Sequence, residues 1–237
     1  MMAPLFRSKW LWVYSIILLL DVIFTAQQLP VPRYVTKPLL TVVLAIFVLT
    51  ERGYIKRSYL VFLLLALFFS FWGDVLLMFD QLNPNFFLGG LGSFLLAHVM
   101  YISFFLKIRY SNPPVPLCKY PWIFLHAAFL IGFLIYLFPV LGDLKIPVII
   151  YAVTLSVTVQ SSLHAFHLNW QKAGAYCITG AVLFLLSDSL IAVGKFVGPF
   201  PAGGVLVMIT YGLAQWLLVA GAVLYFNPLL QRNHSSI

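Results

Sequence analysis

Eight long apolar segments follow one another along the chain, with only short polar connections between them. A helix that crosses a bilayer needs about 20 mostly apolar residues, and all but one of the segments come close to that length. The chain is 62% hydrophobic and 8% charged, whereas an ordinary soluble domain carries about 25% charged residues. These features exclude an ordinary soluble domain and predict an all-α, polytopic membrane protein with a bundle of eight transmembrane helices.

The connections are rich in Pro, Gly, Asn and charged residues, which mark the ends of the spans. We place the spans at residues 10–27, 37–50, 58–79, 86–106, 121–140, 146–165, 173–197 and 203–225, of which the second is short. No stretch is long or polar enough to act as an interdomain linker. Residues 1–237 are therefore predicted to form a single integral membrane domain.

The positions of Lys and Arg predict the orientation of the bundle. Most of the 14 basic residues fall in the two terminal tails and in the second, fourth and sixth connections; the exceptions are Arg33, Lys37, Lys145 and Lys195. Because cytoplasmic segments are enriched in Lys and Arg, both termini are predicted to be cytoplasmic. We expect a multi-pass protein of a bacterial inner membrane. The net charge of +8 then reflects topology, and we expect no nucleic-acid partner.

Two aspartates lie inside predicted spans, where an ionisable residue is costly. Asp74 lies in span three, and Asp188 lies between two serines in span seven. An Asp at the centre of a span costs roughly 2.5–3.5 kcal/mol on insertion, so an acid there is a functional hypothesis. Both fall in the outer half of the bundle, and we expect them to meet across a hydrated cavity; buried pairing with a lysine is the alternative. Asp21, near the outer end of span one, is expected to be solvated and structural.

A pair of buried acids can hold two protonation states at once. Apolar surroundings favour the protonated form of a carboxyl, whereas a neighbouring ammonium favours the ionised form. One acid can then donate a proton while the other accepts one. This chemistry suits acid-catalysed hydrolysis at an ether-like carbon.

Other polar residues lie in the spans near the two acids. They are Lys37 at the start of span two, His98 and Tyr101 in span four, Lys195 near the end of span seven, and Tyr211 and Gln215 in span eight. Asp188 and Lys195 are two helical turns apart and hence on one face. We therefore expect both lysines at the mouth of the cavity, where they would bind an anionic head group. The alternatives are snorkelling lysines, interhelical hydrogen bonds of Tyr211 and Gln215, and a packing role for His98.

Four motifs follow one another in order along the chain. They are GDVLLMF (73–79), FFLGGLGSFLLAHVMY (86–101), LLSDSLIAVGKF (185–196) and TYGLAQWLL (210–218), with Lys37-Pro38-Leu39 before them. This ordered set resembles the YhhN-like lysoplasmalogenase family of integral membrane hydrolases. The resemblance implies that the substrate is a lysophospholipid, that the protein also contacts membrane lipids, and that no cofactor takes part. The implied reaction is hydrolysis of a vinyl ether bond, with a fatty aldehyde and glycerophosphoethanolamine or glycerophosphocholine as products.

The resemblance also implies roles for individual residues. Asp74 and Asp188 match the catalytic aspartates of the family, and the substrate-binding positions match Lys37, His98, Tyr101, Lys195, Tyr211 and Gln215. We expect one aspartate to donate a proton to the alkene carbon. The other, ionised, would stabilise the cation and activate water. The sequence does not assign the two roles.

Two other functions fit the same residues. A metal-dependent hydrolase would bind zinc through Asp74, His98 and Asp188; the HAFH pair, His164 and His167, lies at the opposite end of its span. A lipid or proton-coupled transporter would use the acids as a proton relay. The transporter is disfavoured because the spans show no obvious internal repeat.

Overall fold

A computed structural model of the chain describes residues 8–111, 120–166 and 172–227. Within these ranges the chain forms eight helices of membrane-spanning length and no strand. The helices are α1 (Lys9–Ala26), α2 (Pro30–Thr50), α3 (Arg57–Leu77), α4 (Pro84–Arg109), α5 (Tyr120–Leu137), α6 (Lys145–Ala165), α7 (Lys172–Ala192) and α8 (Gly203–Phe226). Two short 3-10 segments, Phe138–Val140 and Gly142–Leu144, join α5 to α6, and α7 continues into a π-helical turn, Val193–Val197. The prediction of an all-α bundle of eight spans is confirmed.

The second span is longer than predicted. α2 begins at Pro30 rather than at Lys37, because proline fits the first turn of a helix, where the backbone N–H has no helical partner in any case. Pro38 lies buried inside the same helix. Lys37 is therefore about two turns inside the helix instead of at its start, and its side chain is only 13% exposed.

Seven of the helices described here close into a ring. Packed neighbours follow the order α1, α2, α3, α4, α6, α7, α8 and back to α1. The main apolar core fills this ring. α5 stands outside the ring and packs on α6, with a small separate apolar cluster of Leu137, Leu141 and Val148 at one end. Many side chains of α5 are exposed, so this helix lies between the ring and the lipid.

Consecutive helices run in opposite directions, so the α1–α2, α3–α4, α5–α6 and α7–α8 connections lie at one end of the bundle. We call this end the Asp80 end, after a residue of the α3–α4 connection. The positions of Lys and Arg predict that it faces away from the cytoplasm. That orientation, the bacterial inner membrane and the single domain over residues 1–237 stay predictions.

Glycines bring α7 and α8 into close contact. A Cβ atom on Gly180 would lie 2.8 Å from the backbone nitrogen of Leu218 and 2.9 Å from the carbonyl oxygen of Ala214. Small residues of this kind let membrane helices approach each other closely. The close approach of α7 to α8 therefore depends on Gly180 having no side chain.

Gly180→Ala is expected to destabilise the protein by about 1–3 kcal/mol, because the added methyl group overpacks the contact against backbone atoms that cannot rotate away. Thermal unfolding in detergent measures the effect. Gly132→Ala is the matched control, since a Cβ atom on Gly132 would have no neighbour within 4 Å. Equal melting temperatures for the two variants would contradict the prediction.

Candidate active site

Asp74 on α3 is almost fully buried, with 1% of its surface exposed. Its Oδ1 lies 3.3 Å from Nζ of Lys37 on α2. Its Oδ2 accepts a 2.5 Å hydrogen bond from the hydroxyl of Tyr211 on α8. The Lys37 ammonium also lies 6.0 Å from the centre of the Tyr211 ring, where the π face attracts a cation. A buried carboxylate is costly unless it is paired and hydrogen-bonded, and Asp74 meets both conditions.

Further hydrogen bonds connect this ion pair to α4. The side-chain nitrogen of Gln215 donates to the Tyr211 hydroxyl at 3.3 Å, and Oε1 of Gln215 accepts from the Tyr101 hydroxyl at 2.9 Å. Lys37, Asp74, Tyr101, Tyr211 and Gln215 thus form one buried network, the Asp74 cluster. It joins α2, α3, α4 and α8, and it contains five of the eight residues predicted for the site.

Asp188 on α7 faces α4 and α6. Tyr151 of α6 donates a hydrogen bond to Oδ2 of Asp188, and Nε2 of His98 lies 4.0 Å from the same oxygen. Nδ1 of His98 lies 3.3 Å from the hydroxyl oxygen of Thr158, which donates its proton to the carbonyl of Thr154 at 3.0 Å. A hydroxyl has a single proton, so we assign Thr158 as the acceptor from His98 and place the imidazole proton on Nδ1.

Nε2 of His98 therefore presents a lone pair toward Asp188. His98 is fully buried, and Nε2 has no hydrogen-bond partner among the residues described here. A buried polar atom without a partner calls for an explanation, and a catalytic role is one such explanation. Asp188, Tyr151 and His98, which we call the Asp188 cluster, can therefore hold and move a proton.

Two small cavities meet at the Asp188 cluster. The first, which we call the ring cavity, has a volume of about 50 Å³ and lies between α3, α4, α6 and α7. The second, the α5 groove, has a volume of about 40 Å³ and lies between α5, α6 and α7. Val148, Tyr151, Asp188 and Ala192 line both cavities. Each can hold a few water molecules or a few carbon atoms of a ligand, at about 10–15 Å³ for one water.

The two aspartates do not share these cavities, since Asp74 lines neither of them. The contacts that lead from Asp74 toward His98 pass through aromatic rings. Tyr211 packs on Phe94 and Phe184, with ring centres 5.9 Å and 5.5 Å apart, and Phe184 packs on His98 at 4.5 Å. Neither cavity described here is therefore the expected hydrated cavity between two facing carboxylates, and the described residues form two polar clusters with aromatic rings along the path between them.

Lys195 pairs with Asp80, an acid that was not predicted for the site. Its Nζ forms a 2.8 Å ion pair with Oδ2 of Asp80, and it lies 5.0 Å from the centre of the Phe87 ring. The prediction that Asp188 and Lys195 share one helical face assumed α-helical spacing. Residues Val193–Val197 instead form a π-helical turn, in which the spacing of side chains around the helix differs. Because Phe87 lines the ring cavity, Lys195 lies at the edge of that cavity.

Two further expectations are corrected. Lys37 is not at the outer interface but is ion-paired with Asp74 inside the bundle. Asp21 is fully buried rather than solvated; its Oδ2 lies 3.5 Å from Nε of Arg33, and its Oδ1 accepts a 2.5 Å hydrogen bond from Thr36. Asp21 thus ties α1 to α2.

The ligand set of the zinc alternative does not come together. No group of three His, Cys, Asp or Glu side chains in the described ranges could hold a metal ion, so Asp74, His98 and Asp188 do not form such a set. His164 lies in a third cavity with Arg109 and Gln160, away from both clusters. His167 lies outside the described residues.

Two residues of the site, Tyr151 and Asp80, were not predicted from the sequence. Tyr151 has a signal in the sequence, because Tyr151, Leu155 and Thr158 are spaced to share one helical face. That face packs against His98 and Asp188. Asp80 follows α3 in a polar connection, and nothing in its local sequence pairs it with Lys195, 115 positions away.

The fold and the two clusters define a class: a multi-pass membrane protein with buried carboxyl groups at membrane depth, one of them in the wall of two cavities. The chain belongs to the YhhN family, whose sequence profile matches residues 32–222. Proteins named lysoplasmalogenase from Mycobacterium bovis and Mycobacterium tuberculosis are each 33% identical to it over 159 residues, which cover 66% of this chain and 58% of each relative.

A mammalian protein is also similar. Lysoplasmalogenase TMEM86A of Bos taurus is 29% identical over 165 residues, which cover 67% of this chain and 63% of that protein. The chain thus spans less than two thirds of the length of each of these relatives. No solved structure matches the chain.

Proposed function

We propose that this chain hydrolyses the vinyl ether bond of lysoplasmalogens to a fatty aldehyde and a glycerophosphoethanolamine or glycerophosphocholine. The observation that carries the proposal is the position of Asp188, a carboxyl at membrane depth in the wall of two cavities, hydrogen-bonded by Tyr151 and faced by His98. Membership of the YhhN family and the relatives named lysoplasmalogenase support it.

Asp188 is the proton donor in this proposal. Its carboxyl proton goes to the alkene carbon distal to the ether oxygen, a C–H bond forms, and the C=C electron pair is used to bind that proton. The adjacent carbon and the ether oxygen then share the positive charge of an oxocarbenium ion. The Asp188 carboxylate left behind lies next to this cation and stabilises it, while the Tyr151 hydroxyl holds the carboxylate in place.

Water completes the reaction. It adds to the oxocarbenium carbon and gives up a proton to Asp188, so that a hemiacetal forms and the acid is restored. Asp188 then protonates the ether oxygen as it leaves, and the hemiacetal hydroxyl returns its proton to Asp188 as the aldehyde forms. One water is consumed, and the residues end as they began.

The Asp74 cluster positions this machinery. Asp74 lines neither cavity, and it is held by Lys37 and Tyr211. The Tyr211 ring packs on Phe94, which lines the ring cavity, and on Phe184, which packs on His98. In this proposal Asp74 acts through Tyr211, rather than by contact with the substrate. Tyr101 and Gln215 hold the same network.

The proposal is tested with two lipids that differ in a single bond. Purified protein is incubated with a lysoplasmenyl-ethanolamine and with its saturated ether analogue. Aldehyde is expected from the first and none from the second, because a saturated ether has no alkene carbon to protonate. The protein is used in detergent, where transport across a sealed membrane is impossible, so aldehyde release also separates a hydrolase from a transporter. Failure to release aldehyde from the vinyl ether would overturn the proposal.

A further inference from the structure

Asp188 and Tyr151 form a shared wall between two mainly apolar cavities, which differ in what lies at their outer edges. The α5 groove is lined by apolar side chains apart from Tyr151, Asp188 and Ser189. The Ser189 hydroxyl donates to the carbonyl of Leu185 in its own helix at 2.8 Å. The groove therefore offers a ligand polar partners mainly at its Asp188 side, and the rest of it suits a hydrocarbon.

The α5 groove also lies next to the lipid. Its outer wall is α5, the helix outside the ring, where Phe129 is 42% exposed and stacks on Phe133 with ring centres 5.8 Å apart. A hydrocarbon chain can reach this groove from the bilayer without crossing the main core. With a volume of about 40 Å³, the groove takes only the few carbons nearest Asp188, and the remainder of a chain stays in the bilayer.

The ring cavity has a charge at its edge. Phe87, one of its lining residues, lies under the ammonium of Lys195. Lys195 is paired with Asp80, but its side chain is 36% exposed, so its ammonium can also meet a ligand from the Asp80 end. This edge suits a phosphate, whereas the α5 groove does not.

We propose that the substrate lies across the shared wall, with the first carbons of its chain in the α5 groove, its glycerol carbons in the ring cavity and its phosphate at the edge of that cavity near Lys195. This inference rests on the proposed function, and it names the part of the site that takes each half of the lipid. The ether bond of a single-chain lipid lies at the junction of its polar and apolar halves. Bound in this way, that bond lies at Asp188.

Blocking the α5 groove tests the assignment. Ala152→Trp fills the groove from α6, and Leu134→Trp fills it from α5, since both residues line the groove and not the ring cavity. We expect each variant to bind the saturated ether lysolipid roughly tenfold more weakly or worse. The reason is that a single methylene group in an apolar pocket already changes affinity by about tenfold or more. The same loss is expected as a higher KM for the vinyl ether, with a smaller change in kcat.

Each variant has a control at the next position. Val153→Trp and Ile135→Trp place the same side chain on the lipid-facing side, where the native residues are 44% and 69% exposed. We expect both controls to bind within about twofold of the parent protein, as surface substitutions usually do. Two blocking variants on different helices keep the test valid if one of them fails to fold.

Binding and cleavage are read separately, so the two proposals fail in different ways. Blocking variants that bind the saturated ether as the parent does would overturn the groove assignment, even if the parent cleaves the vinyl ether. A parent that binds the saturated ether through the groove but releases no aldehyde would overturn the hydrolase and leave the chain site standing. A parent that binds neither lipid would overturn both.

Discussion

Asp188→Asn is expected to lower the rate of aldehyde release at least ~10²-fold, because the amide cannot give a proton to the alkene carbon. The amide oxygen can still accept the hydrogen bond from Tyr151, so the variant should fold as the parent does. The measurement is the initial rate with a lysoplasmenyl-ethanolamine, next to the melting temperature of the same sample. A variant that folds and works at the parent rate would remove Asp188 from the chemistry.

Two other acids serve as comparisons for this variant. Asp143→Asn removes an exposed carboxyl in the α5–α6 connection and is expected to leave the rate nearly unchanged. Asp74→Asn removes a carboxyl that lines neither cavity at Asp188, so it is expected to lose less activity than Asp188→Asn. The reverse order of losses would make Asp74 the proton donor.

Lys37→Met is expected to destabilise the protein by about 3–5 kcal/mol, because it leaves the carboxylate of Asp74 buried without its cation. The double variant Lys37→Met with Asp74→Asn removes both charges and should recover most of that loss. Unfolding in detergent, measured for the two single variants and the double variant, gives the coupling between the residues. Additive losses would show that the two side chains do not act as an ion pair.

The pair at the Asp80 end provides the contrast. Lys195 and Asp80 are 36% and 23% exposed, so water already stabilises both charges. Surface ion pairs contribute about 0–1 kcal/mol, and Asp80→Asn is therefore expected to change stability far less than Lys37→Met does. If the two variants are equally unstable, burial is not what makes the Lys37–Asp74 pair important.

Much of the site was predictable because few polar residues lie inside the spans. Six polar residues named from the sequence belong to the two clusters, namely Asp74, His98, Tyr101, Asp188, Tyr211 and Gln215. Lys37 and Tyr151 complete the clusters. Lys37 was predicted for the site but placed at the wrong depth, because a proline-rich start of α2 reads as a connection. The ion pair of Lys195 with Asp80 was not predicted, because a π-helical turn cannot be recognised from spacing.

The division between the two acids was not predictable. Asp74 and Asp188 look alike in sequence, since each is a lone carboxyl in an apolar helix. Their surroundings differ because α3 packs beside α2 and α4, where Lys37 reaches Asp74, whereas α7 packs beside α6, where Tyr151 reaches Asp188. Which helices are neighbours depends on contacts between residues far apart in the chain, and no local pattern encodes them.

The sequence alone determined that this protein lies in a lipid bilayer, how many spans it has and which few polar residues must be buried. It could do so because the cost of placing charges and unpaired backbone groups in lipid acts on each segment independently. The tertiary structure decided which of those residues meet, which carboxyl lines the cavities at Tyr151 and that α5 lies outside the ring. These outcomes follow from how eight similar apolar helices pack against one another. Their surfaces are nearly equal in hydrophobicity, so small residues and single hydrogen bonds select the arrangement.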